Sequence, residues 1–145
     1  MTEGKGIPLS VVISGANRTD MKKLADLLDA SLVPYPAEDP TQPVWQLALD
    51  RGYDYDVCRQ TARDHHFVPH IPRRASPAQP LPPPGDPTRH PPRRWVVEVA
   101  HSWFNRFRRL LIRWEKRPEN YLALIQFAAT LIIYRKLRHA RSLLG

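Results

Sequence analysis

Between Pro72 and Pro92 the chain carries nine of its 16 prolines, with the run PLPPPGDP near the centre and almost no large apolar side chain. Proline has no amide hydrogen and a fixed φ, so such a stretch neither joins a sheet interior nor continues a helix, and its polarity leaves it little to bury. An extended linker is expected over 72–92, dividing the remainder into segments 1–71 and 93–145. At 145 residues the chain has room for one core, and that core has to come from these two pieces.

In the first segment the turn EGKG leads into GIPLSVVISG, whose β-branched residues predict a strand from about Ile7 to Ser14. It reads as the second arm of a hairpin of which only Met1 and Thr2 precede the turn. ANRTD then offers an N-cap at Thr19 or Asp20, and Leu24, Leu27 and Leu28 recur at helical spacing up to Ala30. After a proline-punctuated loop, VWQLAL is an apolar run of strand length ending at Asp50, expected to be central and buried. DRGYDYD turns the chain into a helix from about Val57 to His65, and FVPHI makes another strand. Strand, helix, strand, helix, strand is the order of an α/β fold.

The second segment predicts two helices, from Trp95 to about Arg117 and from Pro118, a good first helical residue, to about Leu137. The first places Val96, Val99, Ala100, Trp103, Phe107, Leu110 and Trp114 on one stripe, with eight basic residues between Arg93 and Arg117 mostly elsewhere. The second holds YLALIQFAATLIIY, only 14 residues and interrupted by Gln126 and Thr130, where a bilayer span takes about 20. It reads as a core helix. The basic residues that follow, Arg135, Lys136 and Arg138, keep a membrane-surface role as a competing reading.

Lys and Arg number 22 against 14 acids, a net charge of +8, which suits a polyanionic partner. The single cysteine, Cys58, excludes an internal disulfide, and the N-terminus lacks a secretory-signal pattern, so a cytoplasmic location is expected.

Against that positive charge two acids are candidates for chemistry. Asp50 closes a buried strand, at the sheet edge where open α/β folds bind ligands, although a simple loop or cap aspartate would sit there too. Glu98 lies four residues after Arg94, and on spacing alone a helical ion pair is the better account of it. Arg94, Glu98, His101 or Ser102, Asn105 and Arg109 share one helical face, where Mg²⁺ and phosphate could meet on the carboxylate. The histidines of DHHFVPH, even with Cys58 nearby, match no zinc-site spacing, and neither a phosphate-binding Gly loop nor a nucleophile motif is present.

Four blocks taken in order, GKGIPLSVVISGANRTD, LALDRGYDYD, FVPHIPRR and the stretch from RRWVVEVAHSWFNRFRRL to LIIYRKL, resemble the C-terminal part of bacterial insertion-sequence transposases of the DDE class. The resemblance implies an incomplete ribonuclease H-like α/β fold, a mixed sheet lacking its first strands, followed by a C-terminal helical pair. It implies DNA cleavage and strand transfer by acids that hold two divalent ions, Mg²⁺ or Mn²⁺, with Asp50 as the second acid (Asp50, Gly52, Tyr53) and Glu98 as the third (Arg94, Glu98). Where the wider family often has a lysine, seven residues after the glutamate, this chain has Asn105 with Arg106 next. Arg94, Asn105, Arg106, Arg108, Arg109, Arg113 and Lys116 are then the expected DNA contacts, the last five clustering on one helix.

The first acid of the family belongs on a strand upstream of EGKG, so the chain alone is expected to be inactive, with an upstream transposase segment, transposon-end DNA and a second copy of itself as partners. A bacterial, nucleoid-associated location follows from the same resemblance. The alternatives are a noncatalytic DNA-binding remnant or regulator, and a basic membrane-surface protein.

Overall fold

The computed structural model describes residues 1–15, 19–31, 33, 44–73 and 94–144. Apart from Pro72 and Arg73, the expected linker lies outside the described residues.

The N-terminal turn is held by Gly6 N–H donating to Glu3 O at 2.9 Å and Glu3 N–H donating to Ile7 O at 2.9 Å. Thr2 and Pro8 form an isolated antiparallel bridge, and Leu9 N–H donates to Met1 O at 3.0 Å. The expected strand Ile7–Ser14 does not form a ladder with any described residue. Pro8 has no N–H to give, and past Ser10 no backbone bond is made to a described strand. Ser10 instead anchors this segment, its hydroxyl donating to Leu27 O at 2.8 Å.

The helix expected up to Ala30 forms in two parts, a 3-10 turn Asp20–Lys23 and then α1, Leu24–Asp29. Strand β1, Trp45–Ala48, leads through a 3-10 turn at Arg51–Tyr53 to α2, Asp56–Asp64, and to β2, Phe67–His70. The two strands are parallel, with Trp45 opposite Phe67 and Ala48 opposite His70. Parallel neighbours need a crossover, and α2 supplies it, giving a strand–helix–strand unit within a mixed α/β fold. Pro69 is tolerated because, among the described residues, the sheet has two strands and each is an edge. β1 alternates rather than being buried throughout: Leu47 faces inward while Gln46 and Ala48 are exposed.

Leu24 and Leu28 of α1, Leu47, Cys58 and Ala62 of α2, and Phe67 form the core, with Met1, Trp45, Leu49, Tyr53 and Ile71 partly buried against it. Of these, Leu24 and Leu28 lie on the face that helical spacing marks in the sequence.

The helix expected over Trp95–Arg117 is broken. α3 runs Arg94–Phe104, Asn105–Phe107 turn, α4 is the single turn Arg108–Leu111, and the chain continues without regular structure to α5, Pro118–Leu144. Asn105 is a poor helix former, and the break lets Leu110 O accept the Tyr121 hydroxyl at 3.1 Å. α3 and α5 pack on one another, and Val96 and Ala100 of the first and Ala128 and Ile132 of the second are buried. Lys136 closes the same interface, its Nζ 4.1 Å from the centre of the Trp103 ring. Because the stripe stops with α3, Trp114 faces solvent instead of extending it. Among the described residues no helix is long and apolar enough to cross a membrane.

Candidate functional site

Asp50 stands two residues beyond β1 and caps the 3-10 turn Arg51–Tyr53, its Oδ1 accepting the Gly52 N–H at 2.6 Å while Tyr53 N–H donates to its carbonyl at 3.1 Å. The strand end and the turn together fix the carboxylate on the surface. The spacing of Asp50 to Gly52 has a steric cause, since a Cβ at Gly52 would come within 2.8 Å of Asp50 Oδ1. Oδ2 has no partner among the described residues and is open to a ligand.

Tyr53, the aromatic residue of that motif and the last of its 3-10 turn, packs against the core. Burial first, then the carboxylates of Asp20 and Asp50 and the Cys58 thiol, hold its hydroxyl above the ordinary tyrosine pKa. It borders a small cleft shared with Val12, Ser14, Asp20, Lys23 and Leu27. The Asp20 side of this environment leaves no mark in the sequence, because it depends on the approach of residues 33 positions apart.

Glu98 lies in the middle of α3 with an exposed carboxylate, and it makes no ion pair with a described side chain. The Arg94 side chain, and with it the Arg94–Glu98 pair, lies outside the described residues. No hydrogen bond joins Asp50 to Glu98, and among the described residues no group of three or more His, Cys, Asp or Glu side chains is arranged to hold a metal ion.

What links the elements carrying these two acids is the N-terminal turn. Met1 packs against the core that includes Leu47 of β1. Gly6 is buried at φ +87°, and a Cβ there would lie 3.1 Å from Val96 O, 3.3 Å from Val99 Cγ1 and 3.6 Å from the Trp103 ring, all on α3. Only glycine adopts that backbone without strain, so the turn seats directly on the helix that bears Glu98. EGKG signals the turn; what the turn touches is not legible in it.

The expected DNA contacts do not lie on one helix. Asn105 and Arg106 sit in the turn after α3, Arg108 and Arg109 on α4, and Arg113 and Lys116 in the irregular connector, all of them exposed. Within this group Arg109 pairs with Glu115 at 3.1 Å, and Arg113 lies over the Tyr121 ring at 5.6 Å. Sequence reasoning misses Glu115, although it is the lone acid between Arg106 and Arg117.

The zinc reading has no structural support among the described residues. Cys58 is buried, which raises its thiol pKa, and His65 is engaged with the Thr61 carbonyl at 2.8 Å and Asp29 at 2.9 Å.

Residues 47–135 match the family model described as a transposase DDE domain. The chain is 33% identical over 149 aligned positions to a Burkholderia cepacia protein described as a transposase for insertion sequence element IS402. That alignment covers 97% of this chain and 63% of the relative, so the chain spans rather less than two thirds of the relative's length. No solved structure matches at a significant level.

Proposed function

Because this chain belongs to the DDE transposase family, we propose that it forms the C-terminal portion of an insertion-sequence transposase, with Asp50 and Glu98 as two of the acids of a metal-dependent DNA cleavage and strand-transfer site. The observation that carries the reading is that the matched stretch, 47–135, includes both an aspartate presented at the end of a parallel strand and an exposed glutamate on the helix after the linker. Carboxylate oxygens are the donors that Mg²⁺ or Mn²⁺ takes, and both side chains present oxygens without another described partner. Such ions, when bound, supply Lewis-acid stabilisation of the attacking and leaving oxygens in phosphoryl transfer.

The contribution of the chain itself is orientation. The Gly52 N–H holds Oδ1 of Asp50, leaving Oδ2 to face outward, and the Gly6 turn fixes the rotation of α3 and hence the direction in which Glu98 points. Arg106, Arg108, Arg109, Arg113 and Lys116 would then contact the DNA backbone, where positive charge gives affinity without reading sequence. Two acids do not complete a two-metal site, so activity is assigned to the chain joined with the remainder of a full-length transposase.

The test is Mg²⁺-dependent nicking of labelled transposon-end DNA by the complete protein. Asp50→Ala and Glu98→Ala should each abolish nicking while leaving DNA binding intact, and Arg109→Ala should only weaken it. Nicking that persists without Glu98 would remove it from the site. DNA binding without any nicking by the complete wild-type protein would favour the noncatalytic DNA-binding reading instead.

A further inference from the structure

The connector between α4 and α5 is tied down on one side and bare on the other. Ile112, directly after α4, is extended, with φ −128° and ψ 124°. Arg113, itself exposed, folds back along the chain, lying over the Tyr121 ring with its Nε donating to Glu115 O at 3.3 Å, while the Glu115 side chain, 11% exposed, accepts from Arg109. Tyr121 in turn donates to Leu110 O. The outward side carries Ile112 at 59% exposure and Trp114 at 72%, beside Leu111 at 58%.

An apolar surface of this kind asks for a cover, and the surrounding charge restricts what the cover is. Six cations, Arg106, Arg108, Arg109, Arg113, Lys116 and Arg117, stand against one acid, Glu115, in this stretch. The complementary partner is a polyanion that also offers flat apolar faces. Duplex DNA keeps its base faces stacked inside, whereas an unpaired strand exposes them, and aromatic side chains set in a basic surface bind such strands by stacking. A lipid surface would suit a continuous apolar helix face better than an irregular connector with alternating cations.

We propose that the Leu111–Lys116 connector is a binding site for single-stranded DNA, with Trp114 stacking on an unpaired base and the neighbouring Arg108 and Lys116 taking the flanking phosphates. The bonds that Arg113, Glu115 and Tyr121 make within this stretch preorganise the loop, so binding does not have to order it first. This deepens the DNA-binding part of the proposed function and does not depend on Asp50 or Glu98.

The experiment is fluorescence anisotropy of the 145-residue chain with a labelled 15-nucleotide oligothymidylate and with a duplex of equal length. Trp114→Ala should weaken single-strand binding about tenfold while changing duplex binding less than about twofold, and Trp114→Phe should restore most of the loss. Because Trp114 is exposed, the variants should fold, which far-ultraviolet circular dichroism checks. Equal effects on both DNAs, or none on either, would overturn the site. So would flotation of the chain with phosphatidylserine vesicles that is lost in Trp114→Ala, since that would assign the surface to lipid. Glu98→Ala run in parallel separates the two ideas: single-strand binding that depends on Trp114 but not on Glu98 supports the connector site whatever happens to the nicking assay.

Discussion

A Cβ added at Gly6 and one added at Gly52 meet very different neighbours. At Gly6 the nearest atom is the Val96 carbonyl, which is helix backbone and cannot step aside, and the φ of +87° is itself unfavourable for a side chain. Gly6→Ala should therefore cost about 1–3 kcal/mol in urea-induced unfolding. Gly4→Ala, with nothing within 4 Å of its Cβ, should cost far less. At Gly52 the near atom is Asp50 Oδ1, the far end of a side chain that can rotate away. Gly52→Ala should change the unfolding midpoint little but turn the Asp50 carboxylate, so nicking by the complete transposase should fall at least about tenfold, a loss of ~1.4 kcal/mol in transition-state stabilisation. Unchanged nicking in that variant would mean that the orientation imposed by the turn is irrelevant to the reaction.

Among the elements, those with local causes are legible in the sequence and those with distant causes are not. The strands either side of α2 are legible as short apolar runs, and α2 from the turn DRGYDYD that opens it, because each signal lies within the element or beside it. The break between α3 and α4 does not, since Phe107, Leu110 and Trp114 continue the helical spacing and only Asn105 hints at an end. What accompanies the break are contacts that a continuous helix would not make, the Tyr121 bond to Leu110 O and the Arg109–Glu115 pair. Asp50 is legible because it ends an apolar run, whereas its Asp20 and Tyr53 surroundings belong to two turns that meet only in the fold. A similar distant contact joins the ends of α1 and α2. Both ring nitrogens of His65 face acceptors, Nδ1 the Thr61 carbonyl and Nε2 the Asp29 carboxylate, and only the protonated ring donates to both. The Asp29 bond is the chief cause that raises the His65 pKa above 6.5. A raised folded pKa gives stability that is present in full below the unfolded value and lost as pH rises through the folded one. Asp29 is 71% exposed, so the pair is worth at most about 1 kcal/mol. The urea midpoint should fall in the wild type as pH rises from the unfolded value of 6.5 through the raised folded one, and Asp29→Asn should flatten that fall. An unaltered pH profile in Asp29→Asn would show the pair to be energetically silent.

At the scale of the whole molecule, the N-terminal turn contacts both the core that includes β1 and the helix that carries Glu98, while the basic residues follow α3 in an exposed band. If that band holds duplex DNA, replacing Arg106, Arg108 and Lys116 together by alanine should reduce the log–log salt slope by about 0.9 for each phosphate that is no longer neutralised. A slope that does not change would put the duplex on another surface. The central claim is narrower, that Asp50 and Glu98 face one metal site. Paramagnetic broadening by Mn²⁺ in an amide NMR spectrum of the chain tests it most directly. With one shared site, the amides of Gly52 and of Val97 and Val99 should broaden together along one titration curve, and Asp50→Ala should weaken the broadening at α3 as well as at its own turn. Broadening of the two regions with separate affinities, each indifferent to substitution of the other acid, would contradict it.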